Sequence, residues 1–224
     1  MSTLSLRNVE VEKDGIRILS GLTLDLSERR IGIVGRNGSG KSTFARLLNG
    51  LERPSAGQVL LDGDPEPRGL RRHVGFVFQN PDNQIVYPNV GEDLEFGLKN
   101  LRLPPEERRD RIATLLDTLQ LSHLRDRLTH TLSGGEKQLI ALAGVLVMRP
   151  DWIVLDEPTT LLDLWNTRRF MRVLDGLEQR IVMVSHHLDL MQGLDRVLHI
   201  ADGTVADDGP PAGVIAGYVA RSEC

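Results

Sequence analysis

The sequence predicts an α/β fold with a mostly parallel sheet, a small antiparallel β subdomain and an inserted α-helical subdomain. Apolar segments of strand length alternate with helical segments in residues 1–84 and again in 150–224. The early strands are joined by tight turns such as Asp14-Gly15, which favour antiparallel pairing. Residues 85–149 contain helical patterns alone. We therefore expect a single domain over residues 1–224, whose α/β core is interrupted by a helical subdomain at 85–149.

Composition limits the classes of function that the chain can serve. Its 224 residues suffice for a sizeable core, and a net charge of −4 predicts no broad basic surface for nucleic acid. The single cysteine, Cys224, allows no intramolecular disulfide, which is typical of a reducing cytosol. The N-terminus lacks an apolar signal segment. The longest apolar run, Leu139–Met148, is shorter than the roughly 20 residues that span a bilayer. Any membrane role is therefore expected to come through partners.

The first part of the chain is predicted to be mainly strands. Alternating apolar and polar residues, or short apolar runs before turn residues, indicate strands. They are Leu4–Val11, Ile16–Leu26, Ile31–Val34, Gln58–Leu61 and Val74–Phe78. Between the third and fourth strands, a helix around Phe44–Leu48 is closed by Asn49-Gly50, a typical helix stop.

The remainder is predicted to be helical and then α/β again. Apolar residues at helical spacing, with Pro or a capping residue at the start, indicate the helices. They are Val90–Lys99, one opened by Pro104-Pro105, Lys137–Met148, Arg168–Leu177 and a short one after Pro210-Pro211. Apolar runs predict strands. They are Trp152–Leu155, Ile181–Val184 and a final hairpin of Val197–Ile200 with Thr204–Ala206.

The segment from Gly35 to Thr43 matches the pattern G-x-x-x-x-G-K-[ST] of a phosphate-binding loop. A predicted strand precedes it and a predicted helix follows it, which is the context that the motif requires. Glycines let the backbone approach a ligand closely, and the helix N-terminus attracts phosphates. Lys41 is placed for the outer phosphates, and the Ser42 hydroxyl for Mg²⁺. The predicted nucleotide-binding residues are Gly35, Asn37, Gly38, Ser39, Gly40, Lys41, Ser42 and Thr43. The motif predicts a nucleotide-binding core of the P-loop NTPase type.

Asp156 and Glu157 follow a predicted parallel strand, Trp152–Leu155. Ligands of parallel α/β sheets bind at the carboxyl ends of strands. Asp156 is thus expected to hold Mg²⁺ beside Ser42, directly or through water. Glu157 is expected to accept a proton from water that attacks the γ-phosphate. Two acids before a turn are a modest signal alone, and the phosphate loop makes the signal specific.

A third motif, Leu132-Ser133-Gly134-Gly135-Glu136, opens the predicted helix Lys137–Met148. Ser133 is a favourable N-cap, and the two glycines leave helix amides open to an anion. With this motif, the chain resembles the ATP-binding cassette family. Its phosphate loop, Leu-Ser-Gly-Gly-Glu, Leu-Asp-Glu-Pro and a later histidine occur in that family's order and cover essentially the whole chain.

The resemblance implies a RecA-like core that binds ATP and Mg²⁺, and it implies roles for single residues that the residues alone do not show. Ser133 and Gly135 would cap the γ-phosphate bound by a second subunit, in a head-to-tail dimer that is expected to be a homodimer. Gln79 matches the glutamine that reaches toward Mg²⁺ and couples to the membrane partner. Asp163 matches the aspartate of the dimer interface, and His186 the histidine that contacts the γ-phosphate.

Several positions depart from the family's pattern. Lys13 stands where the family usually has an aromatic ring that stacks on adenine. Glu136 replaces a common glutamine, and Leu139 a common arginine. Leu161 and Leu164 replace the small residue and the proline common around the interface aspartate. Because Lys13 cannot stack as an aromatic ring does, we expect shallow selectivity for the base.

The segment Phe78–Gln84 is similar to that of energy-coupling factor importers, which take up vitamins and metal ions. The chain resembles the biotin and cobalt members most, and biotin is the first expectation for the substrate. The implied partners are a transmembrane coupling protein and a substrate-binding membrane protein, with the ATPase at the cytoplasmic face of the membrane. Many relatives have a further C-terminal segment that helps dimerisation, and we expect this chain, whose sequence runs to Cys224, to lack that segment.

Two other classes of protein compete with a transport ATPase. Non-transport cassettes act in DNA repair or on ribosomes, but repair members insert a long coiled coil between Lys41 and Ser133, and no heptad run occurs here. Ribosomal relatives join two cassettes in one chain. A phosphate-loop kinase or simple nucleotide-binding module would leave Leu132–Glu136 and His186 unexplained.

Overall fold

A computed structural model describes residues 2–65 and 69–222, and Cys224 lies outside the described residues. The chain forms two compact units. The first unit contains Met1–Phe76, Asp151–Glu157 and Gln179–Cys224, and the second contains Val77–Pro150 and Pro158–Glu178. The subdomain bounds expected from the sequence, with the helical part at 85–149, stay a prediction.

The described strands and helices follow the predicted α/β order. The strands are β1 (Leu4–Lys13), β2 (Ile16–Leu26), β3 (Arg30–Val34), β4 (Ala56–Leu61), β5 (Val74–Val77), β6 (Trp152–Asp156), β7 (Arg180–Val184), β8 (Arg196–Ala201) and β9 (Thr204–Gly209). The helices are α1 (Lys41–Asn49), α2 (Leu70–His73), α3 (Val90–Asn100), α4 (Pro105–Thr118), α5 (Gly134–Leu146), α6 (Leu164–Asp175), α7 (Leu188–Met191) and α8 (Pro211–Ser222).

The first unit contains a three-stranded antiparallel sheet of order β2-β1-β4, as the turn residues predict. Asp14 and Gly15 join β1 to β2 with φ of +51° and +76°. Positive φ at both central residues is typical of the turns that match the twist of a hairpin. The antiparallel β subdomain expected from the sequence is therefore present.

The same unit contains a six-stranded sheet of order β5-β6-β7-β3-β8-β9. The central strand β3 pairs in parallel with β7 and β8, β6 pairs in parallel with β7, and β9 closes the edge antiparallel to β8. Residues 31–34 and 152–156 are buried, as strands covered on both faces must be. Helix α1 contacts β6 and β7, and α8 contacts β3, β8 and β9. The carboxyl ends of β3 and β6 therefore lie at one edge of the sheet, where the motif residues follow.

The second unit is helical. Helix α3 contacts α4 and α5, and α5 also contacts α4 and α6. Short 3₁₀ turns at Pro81–Asn83, Ser122–Leu124 and Thr129–Thr131 connect the helices. Helix α6 begins at Leu164 and not at Arg168 as predicted, because the side chain of Asp163 accepts a hydrogen bond from the Asn166 amide and caps the helix there.

No helix in residues 2–65 and 69–222 combines the length and the apolar character that crossing a membrane requires.

Candidate active site

The phosphate loop connects β3 to α1 and is held tightly against its neighbours. A Cβ on Gly35 would lie 2.1 Å from the Ile200 carbonyl oxygen, and one on Gly40 would lie 2.7 Å from Leu19 Cδ2. Gly40 also has a φ of +103°, which favours glycine. A Cβ on Gly38, at the tip, would meet nothing within 4 Å. The loop is therefore packed on its protein side and leaves its tip accessible to a ligand.

Lys41 is a buried cation inside this loop. Its Nζ donates hydrogen bonds to the carbonyl oxygens of Gly35 and Arg36, at 2.9 and 2.8 Å. Burial lowers the pKa of Lys41, and the nearby charges of Glu157 and Asp156 oppose that shift. An ammonium has three N–H donors, so a third can meet a phosphate oxygen. The structure thus aims a fixed positive charge at the site.

Ser42 and Asp156 lie in contact, although they are far apart in the sequence. The Ser42 hydroxyl donates to Asp156 Oδ1 at 3.0 Å. Burial raises the pKa of Asp156, while the hydrogen bond from Ser42 and the cations of Arg46 and Lys41 lower it. Among the described residues, no group of three or more His, Cys, Asp or Glu side chains is arranged to hold a metal ion. Two side-chain oxygens suit Mg²⁺, which usually keeps water and substrate phosphates as its other ligands.

Glu157 and His186 form the next contact at the same edge of the sheet. His186 Nε2 lies 2.7 Å from Glu157 Oε1, and the backbone amide of Glu157 donates to the Val184 carbonyl oxygen at 3.0 Å. Glu157 has a φ of +50°, in the left-handed region. The sheet therefore holds a carboxylate and an imidazole together beside Lys41 and Asp156.

These groups fit a phosphorylated ligand. Helix α1 begins without a side-chain cap at Gly40, so its first amide groups can bind an anion. The buried Ser39 hydroxyl has no hydrogen-bond partner among the described residues, and it lies in the same loop. Asn37 is exposed at the loop tip, and Thr43 lies in the first turn of α1. Phosphate oxygens are the acceptors that such donors require.

The motif at Ser133 starts α5 in the second unit. The Ser133 side chain accepts a hydrogen bond from the Glu136 amide at 3.3 Å, and Glu136 Oε2 accepts from both the amide and the hydroxyl of Ser133. This capping box satisfies two amides of the helix N-terminus. Hydrogen bonds from Ser133 lower the pKa of Glu136. The departure from the common glutamine therefore has a structural role, and it places a negative charge beside Ser133.

The two glycines of this motif differ in their surroundings. A Cβ on Gly134 would meet nothing within 4 Å, whereas one on Gly135 would lie 2.1 Å from Asn166 Oδ1. Asn166 belongs to α6, whose N-cap is Asp163. The start of α5 therefore packs against the start of α6, and the predicted residues Gly135 and Asp163 lie on adjoining helix ends. Asn166 is not among the site residues that the sequence predicts.

Gln79 follows β5 in a loop that is tied to α5. The Gln84 side chain accepts from the Phe78 amide at 3.2 Å and donates to the Ala141 carbonyl oxygen at 2.7 Å. Gln138, which is buried, donates to the Phe78 carbonyl oxygen at 3.4 Å. These two glutamines hold the loop to the helix, and sequence reasoning assigned them no role. In the sequence, the only local sign of this role is that each of the two glutamines stands beside apolar residues.

Lys13, the residue expected where an aromatic ring is common, lies at the end of β1. Its Nζ forms an ion pair with Glu52. The Lys13 side chain is 43% exposed, so this pair contributes little to stability.

Comparison with known proteins gives the class of this fold and site. The model of the ABC transporter family matches residues 19–160. The chain belongs to the ABC transporter family of ATP-binding proteins, and it is an ATPase.

Individual relatives indicate which members of the ABC transporter family the chain is similar to. It is 53% identical, over 97% of its length and 98% of the relative's, to a protein of Deinococcus radiodurans named as an ABC transporter ATP-binding protein. It is 41% identical, over 100% of its length and 97% of the relative's, to the biotin transport ATP-binding protein BioM of Rhodobacter capsulatus. The chain is also similar to the solved structure of cbiO1 from Clostridium perfringens, part of the ABC transporter complex cbiONQ, with 34% sequence identity and a TM-score of 0.84. The aligned region covers 98% of this chain and 93% of the cbiO1 chain. The resemblance to the energy-coupling factor group and its biotin and cobalt members is thereby confirmed.

Proposed function

We propose that this chain is the ATPase subunit of an energy-coupling factor importer, and that biotin is the imported substrate. The contact between Glu157 and His186, beside buried Lys41, is the observation that most supports an active hydrolase. Full-length similarity to the biotin transport protein of Rhodobacter capsulatus supports the substrate. The chain would sit at the cytoplasmic face of the membrane through its partners.

In the proposed reaction, Lys41 and the loop amides hold the outer phosphates of ATP. Ser42 and Asp156 would hold Mg²⁺, which supplies charge neutralisation on the phosphates when it is bound. Gln79 would reach toward the same ion. The Glu157 carboxylate would take a proton from the attacking water. His186, whose Nε2 lies 2.7 Å from Glu157 Oε1, would contact the γ-phosphate at the same place.

We further propose that two copies of the chain share each active site, head to tail. Ser133, Gly134 and Gly135 of one copy would meet the γ-phosphate held by Lys41 of the other. The open surroundings of Gly134 support this, because they leave the start of α5 accessible. Since the Ser133 hydroxyl donates to Glu136, phosphate binding must compete with that hydrogen bond. Asp163 would lie at the dimer interface.

A mixed-dimer experiment tests the shared site. Lys41→Ala and Ser133→Arg should each abolish hydrolysis as homodimers. A mixed dimer collects both lesions in one site and leaves the other intact, so mixing should restore up to roughly a quarter of wild-type activity if sites are independent. The wild-type rate should also rise faster than linearly at low protein concentration. A mixture as inactive as its parents, with a strictly linear rate, would refute the shared site.

The proposed docking face for the coupling protein lies between Gln79 and Asn100. Val86 is 71% exposed and Phe96 is 43% exposed, and the Phe96 ring lies 5.3 Å from that of Tyr87. Exposed apolar side chains next to one another are typical of a partner-binding surface. We infer that a cytoplasmic helix of the membrane partner covers them.

Charge reversal at this face tests the partner. Glu92 is exposed, so Glu92→Lys should uncouple transport while sparing ATP binding. Glu95 is unsuitable, because its carboxylate pairs with Arg108 at 3.1 Å and Lys99 at 3.4 Å, and reversal would disturb packing of α3. Unchanged transport after reversal at Glu92 together with Phe96→Ala would count against this face.

Uptake measurements test the substrate separately from the ATPase role. Deleting the chain should abolish uptake of labelled biotin and should leave cobalt uptake unchanged. Loss of cobalt uptake alone would show that cobalt and not biotin is the substrate, and it would leave the proposed role as an importer ATPase intact. Co-purification with ribosomes or DNA ends, without membrane proteins, would reject transport altogether.

A further inference from the structure

Helix α6 has an unusual outer face. Its inner face buries Thr167, Phe170 and Leu174. On the other side Trp165 is 63% exposed. Arg169 and Arg172 follow Trp165 by four and seven residues, so the three side chains lie along one side of the helix. Large aromatic side chains are usually covered, and an exposed one in a row with arginines needs an explanation.

This face borders a groove between α6 and the end of α4. The groove is a cavity of about 620 Å³, within the roughly 300–1,000 Å³ that is typical of binding pockets. Leu119, Val173 and Leu177 supply apolar lining, and Trp165 and Arg172 also line it. All of these residues belong to the second unit. The groove can thus accept an apolar side chain of a ligand.

The charge of the groove has one sign. None of the residues that line it is acidic. The Arg169 guanidinium lies 5.7 Å from the centre of the Trp165 ring. Neither Arg169 nor Arg172 forms an ion pair with any residue in the described ranges. This local positive charge occurs in a chain of net charge −4. Guanidinium groups bind carboxylates through paired hydrogen bonds, so the groove favours an acidic ligand.

We propose that this groove is a docking site for an acidic peptide segment of a partner protein. A large apolar side chain of the segment fills the groove against Trp165, and flanking Asp or Glu carboxylates pair with Arg169 and Arg172. Tryptophan and arginine are the residue types most enriched where binding energy concentrates in interfaces. Trp165 stands two residues after Asp163, which is proposed for the dimer interface, whereas Arg169, Arg172 and Leu177 lie further along the chain. The proposed peptide site does not depend on the roles assigned to Lys41 and Glu157.

Charge and shape favour this occupant over two others. A second copy placed symmetrically over α6 would bring Arg169 and Arg172 against the same arginines, which is unfavourable. A flat membrane surface would not enter the groove, whose lining includes Leu119 directly after the end of α4.

Intrinsic fluorescence provides the assay. The only other tryptophan, Trp152, is fully buried in the first unit, so a change in emission reports on Trp165. The probe is the synthetic peptide acetyl-Glu-Glu-Leu-Phe-Glu-Glu-amide. We expect a saturable change that is absent in Trp165→Phe. Replacing the glutamates of the peptide by lysine should abolish binding, and replacing its Leu and Phe by alanine should weaken binding at least tenfold.

Variants of the protein complete the test. Arg169→Glu and Arg172→Glu should each weaken binding of the peptide about tenfold or more, while Arg109→Glu, an exposed arginine of α4 outside the groove, should not. ATP hydrolysis by all three variants checks their folding. The proposal is wrong if the acidic peptide gives no saturable change up to millimolar concentration, or if Arg169→Glu binds it normally. The proposal is also wrong if Arg169→Glu or Arg172→Glu changes the oligomeric mass of the protein, or if the protein binds phosphatidylserine vesicles and not the peptide.

Discussion

Replacing Gly135 by alanine tests the packing between the starts of α5 and α6. The added Cβ would lie 2.1 Å from Oδ1 and 2.4 Å from Cγ of Asn166, well inside van der Waals contact. Rotation of the Asn166 side chain can relieve both contacts, but its Cβ, at 3.0 Å, does not move with the rotamer. We expect a loss of about 1–3 kcal/mol in the free energy of unfolding, as overpacked sites show. The gain of up to about 1 kcal/mol from alanine in a helix offsets part of it.

Gly134→Ala is the matched control, one residue away in the same turn. No atom lies within 4 Å of its added Cβ, so the variant should be neutral or up to about 1 kcal/mol more stable. Denaturant unfolding of both variants measures the difference. The double variant Gly135→Ala with Asn166→Ala should recover most of the loss, because it removes Oδ1 and Cγ. Equal stability of the two single alanine variants would refute this account of the packing.

Three further outcomes are expected. Glu157→Gln should bind ATP normally but hydrolyse it roughly 10²–10⁴-fold more slowly, since a positioned base is lost; near-normal steady-state turnover would contradict its role. With Lys13 paired to Glu52, wild-type affinities for ATP and GTP should be similar in equilibrium binding; a large preference for ATP would mean that another residue reads the base, and Lys13→Tyr should then change little. Burial, and then the Arg221 charge, lower the pKa of His199 from its ordinary 6.5, so the unfolded chain binds a proton that the folded chain does not. Wild-type stability should therefore fall as pH drops below about 6.5, and His199→Gln should show a smaller fall between pH 7.5 and 5.5 in denaturant unfolding; equal slopes would exclude His199 as the cause.

Elements that local turn chemistry delimits could be predicted closely. The predicted strand Ile16–Leu26 has the bounds of β2, because Asp14-Gly15 marks its start. Burial along β1 was less predictable. Strict alternation would expose Ser5, yet Ser5 is buried and its hydroxyl bonds to Asp25. The ladder is irregular between Leu6 and Val9, and such an interruption depends on the partner strand and not on the local pattern.

The site shows the same division between local and long-range information. The phosphate loop could be read from contiguous residues, and the rule for strand ends in parallel sheets predicted that Asp156 lies near Ser42. His186 came from the resemblance alone, since a histidine after a strand has no local signature. Asn166 escaped prediction because its contact with Gly135 depends on how two helices pack and on one rotamer. Sequence patterns record neither.

At Glu157 the left-handed backbone conformation puts the stability of the fold in conflict with ATP hydrolysis. A φ of +50° costs a residue other than glycine roughly 1–2 kcal/mol, so the fold would gain stability from glycine there. Glutamine would keep that conformational cost and glycine would remove it, although both eliminate the carboxylate. Selection for heat resistance alone would thus tend to discard the proposed base. A screen of this chain for higher melting temperature should recover glycine at position 157 in molecules that no longer hydrolyse ATP.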